Sequence, residues 1–101
     1  MERPRYYILQ NGEPFSVEDV LVWAGWFEEA DRQVVRTEIS PDCSVSTVFL
    51  GLDHQYGDGP PLIFETMIFG GPHDQYQERY ATRADAERGH ARACAVARGG
   101  S

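Results

Sequence analysis

Apolar and polar residues change period several times along this chain, and each change marks an element. Tyr6, Tyr7, Ile8 and Leu9 form a short aromatic-rich run. The pair Asn11-Gly12 behind it tolerates positive φ, which predicts a first strand ending in a tight turn. Ser16 followed by Asp19 approximates a capping box with Asp in place of the usual Glu, and Phe15 stands where a hydrophobic staple would reach Val20. A first helix is therefore expected to begin at Ser16. Val17, Val20, Leu21, Ala24 and Phe27 recur at three- and four-residue spacing and mark its expected buried face. Trp23 borders that face, while Val22 and Trp26 lie outside it and widen the apolar arc. Glu28, Glu29 and Asp31 meet the unfavourable end of the helix dipole, so the helix is expected to stop near Glu29 or Ala30.

From Val34 to Ile39 the pattern becomes strand-like, Pro41-Asp42 closes the run, and Val45 to Leu50 begins another. The centre of the chain, VSTVFLG and LIFETMIFGG around LDHQYGDGPP, reads as a further hairpin whose acidic loop is stiffened by Pro60-Pro61. Apolar residues occupy both faces of these two runs, which predicts central strands or strands covered on both sides. Gly70-Gly71-Pro72 ends the second run, and Tyr76 to Tyr80 can return as a strand with Tyr76, Glu78 and Tyr80 on one face. Thr82 with Asp85 caps a second helix. Its apolar side is small: Ala86, His90, Ala93 and Ala97, with Cys94 beside them. Gly89 either permits close packing there or only weakens the helix, by about 1 kcal/mol.

The expected order is β-α-β-β-β-β-α. This is an α+β fold, an antiparallel sheet of four to five strands with two helices. One compact domain is expected over residues 1–98, with a frayed tail at 99–101.

A chain of 101 residues buries only about 60–65% of the surface it exposes when unfolded, so the core must be modest. Its 42% apolar content, with five Phe, five Tyr and two Trp, still suffices for a packed interior. The sequence contains no run of eighteen apolar residues and no secretory leader after its first arginines, so a soluble cytoplasmic protein with no membrane association is expected. Cys43 and Cys94 lie far apart without a CxxC, and two unconnected thiols are expected.

Charge changes the picture more than composition does. The formal net charge is -7, every cationic side chain except histidine is Arg, and the acids are unevenly placed. Glu13 to Glu65 holds eleven acidic residues against Arg32 and Arg36, whereas Thr66 to Ser101 holds four against five arginines. Such a surface repels nucleic-acid backbones and attracts basic partners. The cationic candidates, Arg83, Arg88 and Arg92, all lie in the second helix.

Candidate chemistry is sparse. Asp53-His54-Gln55-Tyr56-Gly57-Asp58 could offer two carboxylates and an imidazole, but the calcium-loop spacing is missing, so neither metal nor cofactor is expected. Glu65 interrupts an apolar strand and needs a partner if buried, for which Arg36 is the expected ion-pair mate. His54 and His73 are expected at opposite ends of the Leu62 to Phe69 strand, too far apart to share a site. Neither a nucleophile elbow, nor a zincin motif, nor a phosphate-binding glycine loop occurs, and catalysis is disfavoured.

The stretch VSTVFLGLDHQYGDGPPLIFETMIFGGPHDQYQERYAT, above all its LGLDH, GPPLIFETM and FGG portions, resembles a family of small uncharacterised proteins encoded by phages, prophages and their hosts. The resemblance covers Val45 through Tyr80 and the helix after it. It implies a phage association and transfers no activity onto Asp53, His54 or Glu65. Joined to the acidity, it leads to the expectation of a binding protein that inhibits a host defence complex, in the manner of an anti-CRISPR, by occupying a basic surface. The expected contact residues are Asp53, His54, Tyr56, Asp58, Glu28, Glu29, Asp31 and Trp26. The alternatives are a homodimeric structural or assembly protein of a phage, joined through the apolar arc of Val22 and Trp26, and a small hydrolase using Glu65.

Overall fold

A computed structural model describes residues 5–55 and 57–99. In chain order the elements are β1 (Tyr6–Gln10), β2 (Glu13–Val17), α1 (Val20–Glu29), β3 (Gln33–Ser40), β4 (Cys43–Phe49), β5 (Phe64–Phe69), β6 (Gln77–Tyr80) and α2 (Arg83–Ala97). The fold is α+β with two helices. Its strands form two antiparallel sheets, a β1-β2 hairpin and a four-stranded meander in the order β3-β4-β5-β6.

The additional strand, β2, occupies the segment expected to open the first helix. Asn11 and Gly12 both take positive φ, 53° and 81°, and the tight turn they make returns the chain directly along β1. Ser16 is thereby paired opposite Tyr7 and cannot cap a helix. Asp19 does so instead, its Oδ1 accepting from the Leu21 N–H at 2.9 Å. The helix still ends at Glu29, as its acidic last turn suggested.

The buried side of α1 is also different. Val20, Leu21, Val22 and Ala24 face outward, and Trp23, Trp26 and Phe27 turn inward, although no α1 residue is fully buried. Three large rings at i, i+3 and i+4 bury more apolar area than the aliphatic stripe could. Trp23 stacks 5.1 Å from Tyr6 and 4.7 Å from Phe27, and Trp26 meets Phe49 edge-on at 5.8 Å.

The four-stranded sheet is covered on one face only. Cys43, Val45, Thr47 and Phe49 of β4 are buried, as are Phe64, Thr66 and Ile68 of β5, while Ser44, Ser46, Val48, Glu65, Met67 and Phe69 line the open face. Apolar residues on both faces predicted strands either central or covered on both sides, and β4 and β5 are central with one face open. The two helices available cannot cover both faces, since α2 takes the inner face and α1 packs against the hairpin.

α2 begins at the Thr82 cap, whose hydroxyl accepts from the Asp85 N–H at 3.1 Å, and buries Ala86, Gly89, His90, Ala93 and Cys94 against the sheet. Gly89 is there for space: a Cβ would stand 1.9 Å from the Tyr80 hydroxyl. Two apolar clusters result. One contains Cys43, Val45, Ile68, Ala93 and Cys94, the other Phe49, Ile63, Phe64, Tyr80 and Ala86. Both cysteines are free thiols in the first cluster. Among the described residues no helix is long and apolar enough to cross a membrane.

Candidate functional site

Between the two apolar clusters runs a polar row that the sequence pattern did not reveal. Thr47 lies opposite Thr66 in the β4-β5 register, and their hydroxyls are hydrogen-bonded. His90 of α2 reaches the same row, with Nδ1 2.8 Å from the Thr47 hydroxyl and Nε2 2.8 Å from that of Thr37 on β3. Burial holds His90 below its ordinary pKa, so the ring is neutral at pH 7, one nitrogen donating and the other accepting. Tyr80 donates to Glu78 at 2.7 Å, and Glu78 accepts from Arg92 at 3.2 Å. Burial first, then the Glu78 carboxylate, pushes the Tyr80 phenol up to about 12. The Glu78 hydrogen bond raises Arg92 further above its already high value. Among the described residues no buried side-chain nitrogen or oxygen lacks a hydrogen-bond partner, and this row fastens helix to sheet.

The expected contact residues divide into structural and exposed ones. Asp53 is buried: its Oδ1 accepts from the Gln55 N–H at 2.7 Å and the Leu62 N–H at 3.0 Å, closing the neck of the 53–62 loop. A carboxylate so engaged is a loop clamp, not a surface contact. His54 is half-buried beside it, its backbone N–H donating to the Leu62 carbonyl at 3.1 Å. Asp58 is exposed in the bend at residues 57–59, and Tyr56 lies outside the described residues. Trp26 belongs to the interior contact with Phe49 described above, which removes it from the homodimer surface expected of it.

The Glu65 ion pair forms with Arg79, not Arg36. Antiparallel pairing puts Arg79 directly opposite Glu65, with the Arg79 Nε 2.9 Å from Oε2, whereas Arg36 lies two strands away on β3, opposite Ser46 and so two residue pairs along from the Val48–Glu65 pair. Gln77 donates to the same oxygen. The pair sits on the open face, so Oε2 is doubly occupied. Among the described residues no group of three or more His, Cys, Asp or Glu converges in a way that could hold a metal ion.

The exposed carboxylates are the remaining candidate. Glu13, Glu18, Asp19, Glu28, Glu29, Asp31, Glu38, Asp42 and Asp58 are all exposed, and among the described residues none has an arginine within ion-pair distance. They fall in groups: at the β1-β2 turn, at both ends of α1, around the β3-β4 turn and in the 57–59 bend. Arg32, the arginine placed to neutralise the densest group, is held elsewhere. Its guanidinium lies 4.1 Å from the Phe27 ring centre and donates to the Phe49 carbonyl at 3.2 Å. Glu28, Glu29 and Asp31, the last accepting from the Gln33 N–H at 3.1 Å, thus have no ion-pair partner among the described residues beside the negative end of α1. In the last third of the chain Asp74 is likewise exposed without an ion pair among the described residues, but the other acids are paired, with Arg79–Glu65, Arg83–Glu87, Arg88–Asp85 and Arg92–Glu78. Compared with family models, curated proteins and solved structures, the chain matches none.

Proposed function

We propose that this protein is a phage-encoded binding protein that docks on a positively charged surface of a host defence complex and inhibits it, as an anti-CRISPR does. The supporting observation is the set of exposed carboxylates between Glu13 and Asp58 that lack a cationic partner among the described residues. Unneutralised charge of one sign raises the encounter rate with an oppositely charged surface and disfavours nucleic acid itself. Arginine- and lysine-lined channels built for phosphates are the surfaces such carboxylates can occupy.

The test is binding of the full chain to a purified host nuclease complex across a salt series. Affinity should fall steeply as salt rises, and the double substitution Glu28→Gln, Glu29→Gln should weaken it several-fold at low salt, with a smaller loss at high salt. Affinity indifferent to both salt and these substitutions removes the proposal. Inhibition of the bound nuclease, measured as loss of substrate cleavage, separates an inhibitor from a passive ligand.

A further inference from the structure

We infer that the outward side of α1 forms a docking site for a basic amphipathic helix of a partner protein. The inference rests on the acidic-docking reading above and adds the place of the contact and the shape of what fits it. By the helical repeat, Leu21, Gly25 and Glu28 form the column opposite Trp23 and Trp26. Leu21, 79% exposed, stands on that side in the first turn, with Val22 (55%) on one flank and Val20 (45%) on the other. The last turn carries Glu28 and Glu29, and Asp31 follows.

The hairpin lies on the other, Trp23 side of α1. Pairing of Tyr6 with Val17 and Ile8 with Phe15 puts these four on one face, and Trp23 packs on that face through Tyr6. Phe15, toward the turn, is left 51% exposed. An apolar step at the start of α1 is thus open to solvent through Leu21, Val20 and Val22, and Phe15 is a separate exposure on the hairpin.

Gly25 adds an independent sign of close approach. A Cβ there would meet nothing within 4 Å, so packing inside the chain does not require glycine, although glycine is among the poorest helix formers. With Ala24 beside it, Gly25 leaves a saddle between Leu21 and Glu28 into which another backbone can settle.

Charge selects the occupant. Glu18 and Asp19 stand at one end of the step and Glu28, Glu29 and Asp31 at the other, all exposed and without ion pairs among the described residues. A second copy docked through this face would set carboxylate against carboxylate, whether the two α1 helices ran parallel or antiparallel. A nucleic acid or an anionic membrane meets the same repulsion. A helix with an apolar stripe and Lys or Arg on its flanks satisfies both the middle and the ends.

The test uses the full chain and a fluorescent helical peptide of about 18 residues with a Leu stripe and Arg flanks, alongside the same peptide with Glu flanks. The Arg peptide should bind and shift the backbone amide signals of residues 20–29, and the Glu peptide should not. Leu21→Ser and Gly25→Gln should each weaken binding by about tenfold or more. Glu65→Gln on the open sheet face should leave it unchanged. Gly25→Gln improves helix propensity, so its effect cannot be ascribed to unfolding. Equal binding of the Glu peptide, signal shifts confined to other elements, or silence of both α1 substitutions overturns the inference. So does a dimer of the chain alone that Leu21→Ser dissociates, since the occupant is then a second copy. If a nuclease complex binds through Asp42 or Asp58 while the α1 substitutions are silent, this site fails and the function above stands. If the peptide binds α1 but no basic complex is bound or inhibited, the site stands without that function.

Discussion

The two helices of this protein are capped alike and used in opposite ways. α2 buries five residues, and its arginines pair with acids of its own chain, while α1 buries none and its carboxylates pair with nothing among the described residues. The difference lies in residue size and charge placement. Ala86, Gly89, Ala93 and Cys94 let α2 sit close to the sheet, whereas α1 rests on three rings that hold it off and leave Val20, Leu21 and Val22 in water. One helix completes the fold, and the other presents a surface. Exposed Leu and Val contribute little to a monomer, and their concentration on α1 is what the docking proposal rests on.

The sharpest way to break this comparison is to make one substitution on both helices. Gly89→Ala puts a methyl group against the Tyr80 hydroxyl and ring and should destabilise the fold by about 2–3 kcal/mol in urea unfolding. A neutral result would mean that α2 is not held as closely as described.

Next in size is the polar row. Thr47→Val removes a hydroxyl shared by His90 and Thr66 and should cost about 1–3 kcal/mol, because the His90 Nδ1 and the Thr66 hydroxyl each lose a partner in the interior. The same row gives a pH dependence whose sign is fixed. Folded His90 has its pKa below the ordinary value, so as pH falls through about 6.5 the unfolded chain takes up a proton that the folded one resists. His90 thus contributes full stability above that pH and progressively less below it. Unfolding at about pH 7.5 and pH 5.5 should show wild type losing more stability on acidification than His90→Gln does. Carboxylates titrate in both chains, which is why the difference between them is the measurement.

On α1 the signs reverse. Gly25→Ala should stabilise by about 0.5–1 kcal/mol, since the methyl group meets open space and the backbone gains helix propensity. Smallest is Glu28→Gln with Glu29→Gln, which relieves two charges at the unfavourable end of the helix dipole. It should change stability by no more than about 0.5 kcal/mol, upward, while weakening capture of a basic partner. A stability loss well beyond that would show these carboxylates to be structural.

Much of the fold was legible because its signals are local. Thr82 and Asp85 announced the start of α2, the small-residue stripe announced its buried side, and Pro41-Asp42 marked the β3-β4 turn. The first forty residues misled where two local signals competed. Asn11-Gly12 favoured a hairpin and Ser16 with Asp19 favoured a cap, and the turn prevailed because the β1-β2 ladder satisfies several backbone groups where a cap satisfies one or two. The candidate site was legible in charge and not in geometry. Glu28, Glu29 and Asp31 were identified from the run alone, but the burial of Asp53 depends on the Leu62 N–H, nine residues away.

By itself, the sequence determined α2, the strand runs from Val34 onward, the acidic first two thirds and the apolar residues on both faces that make β4 and β5 central, since each depends on residue type and spacing along one segment. Only the tertiary structure decided which side of α1 meets solvent, that Glu65 pairs with Arg79, and that His90 joins Thr37 to Thr47. Those contacts join residues far apart in the chain, and their energies depend on distance and on exclusion of water, which no local pattern carries.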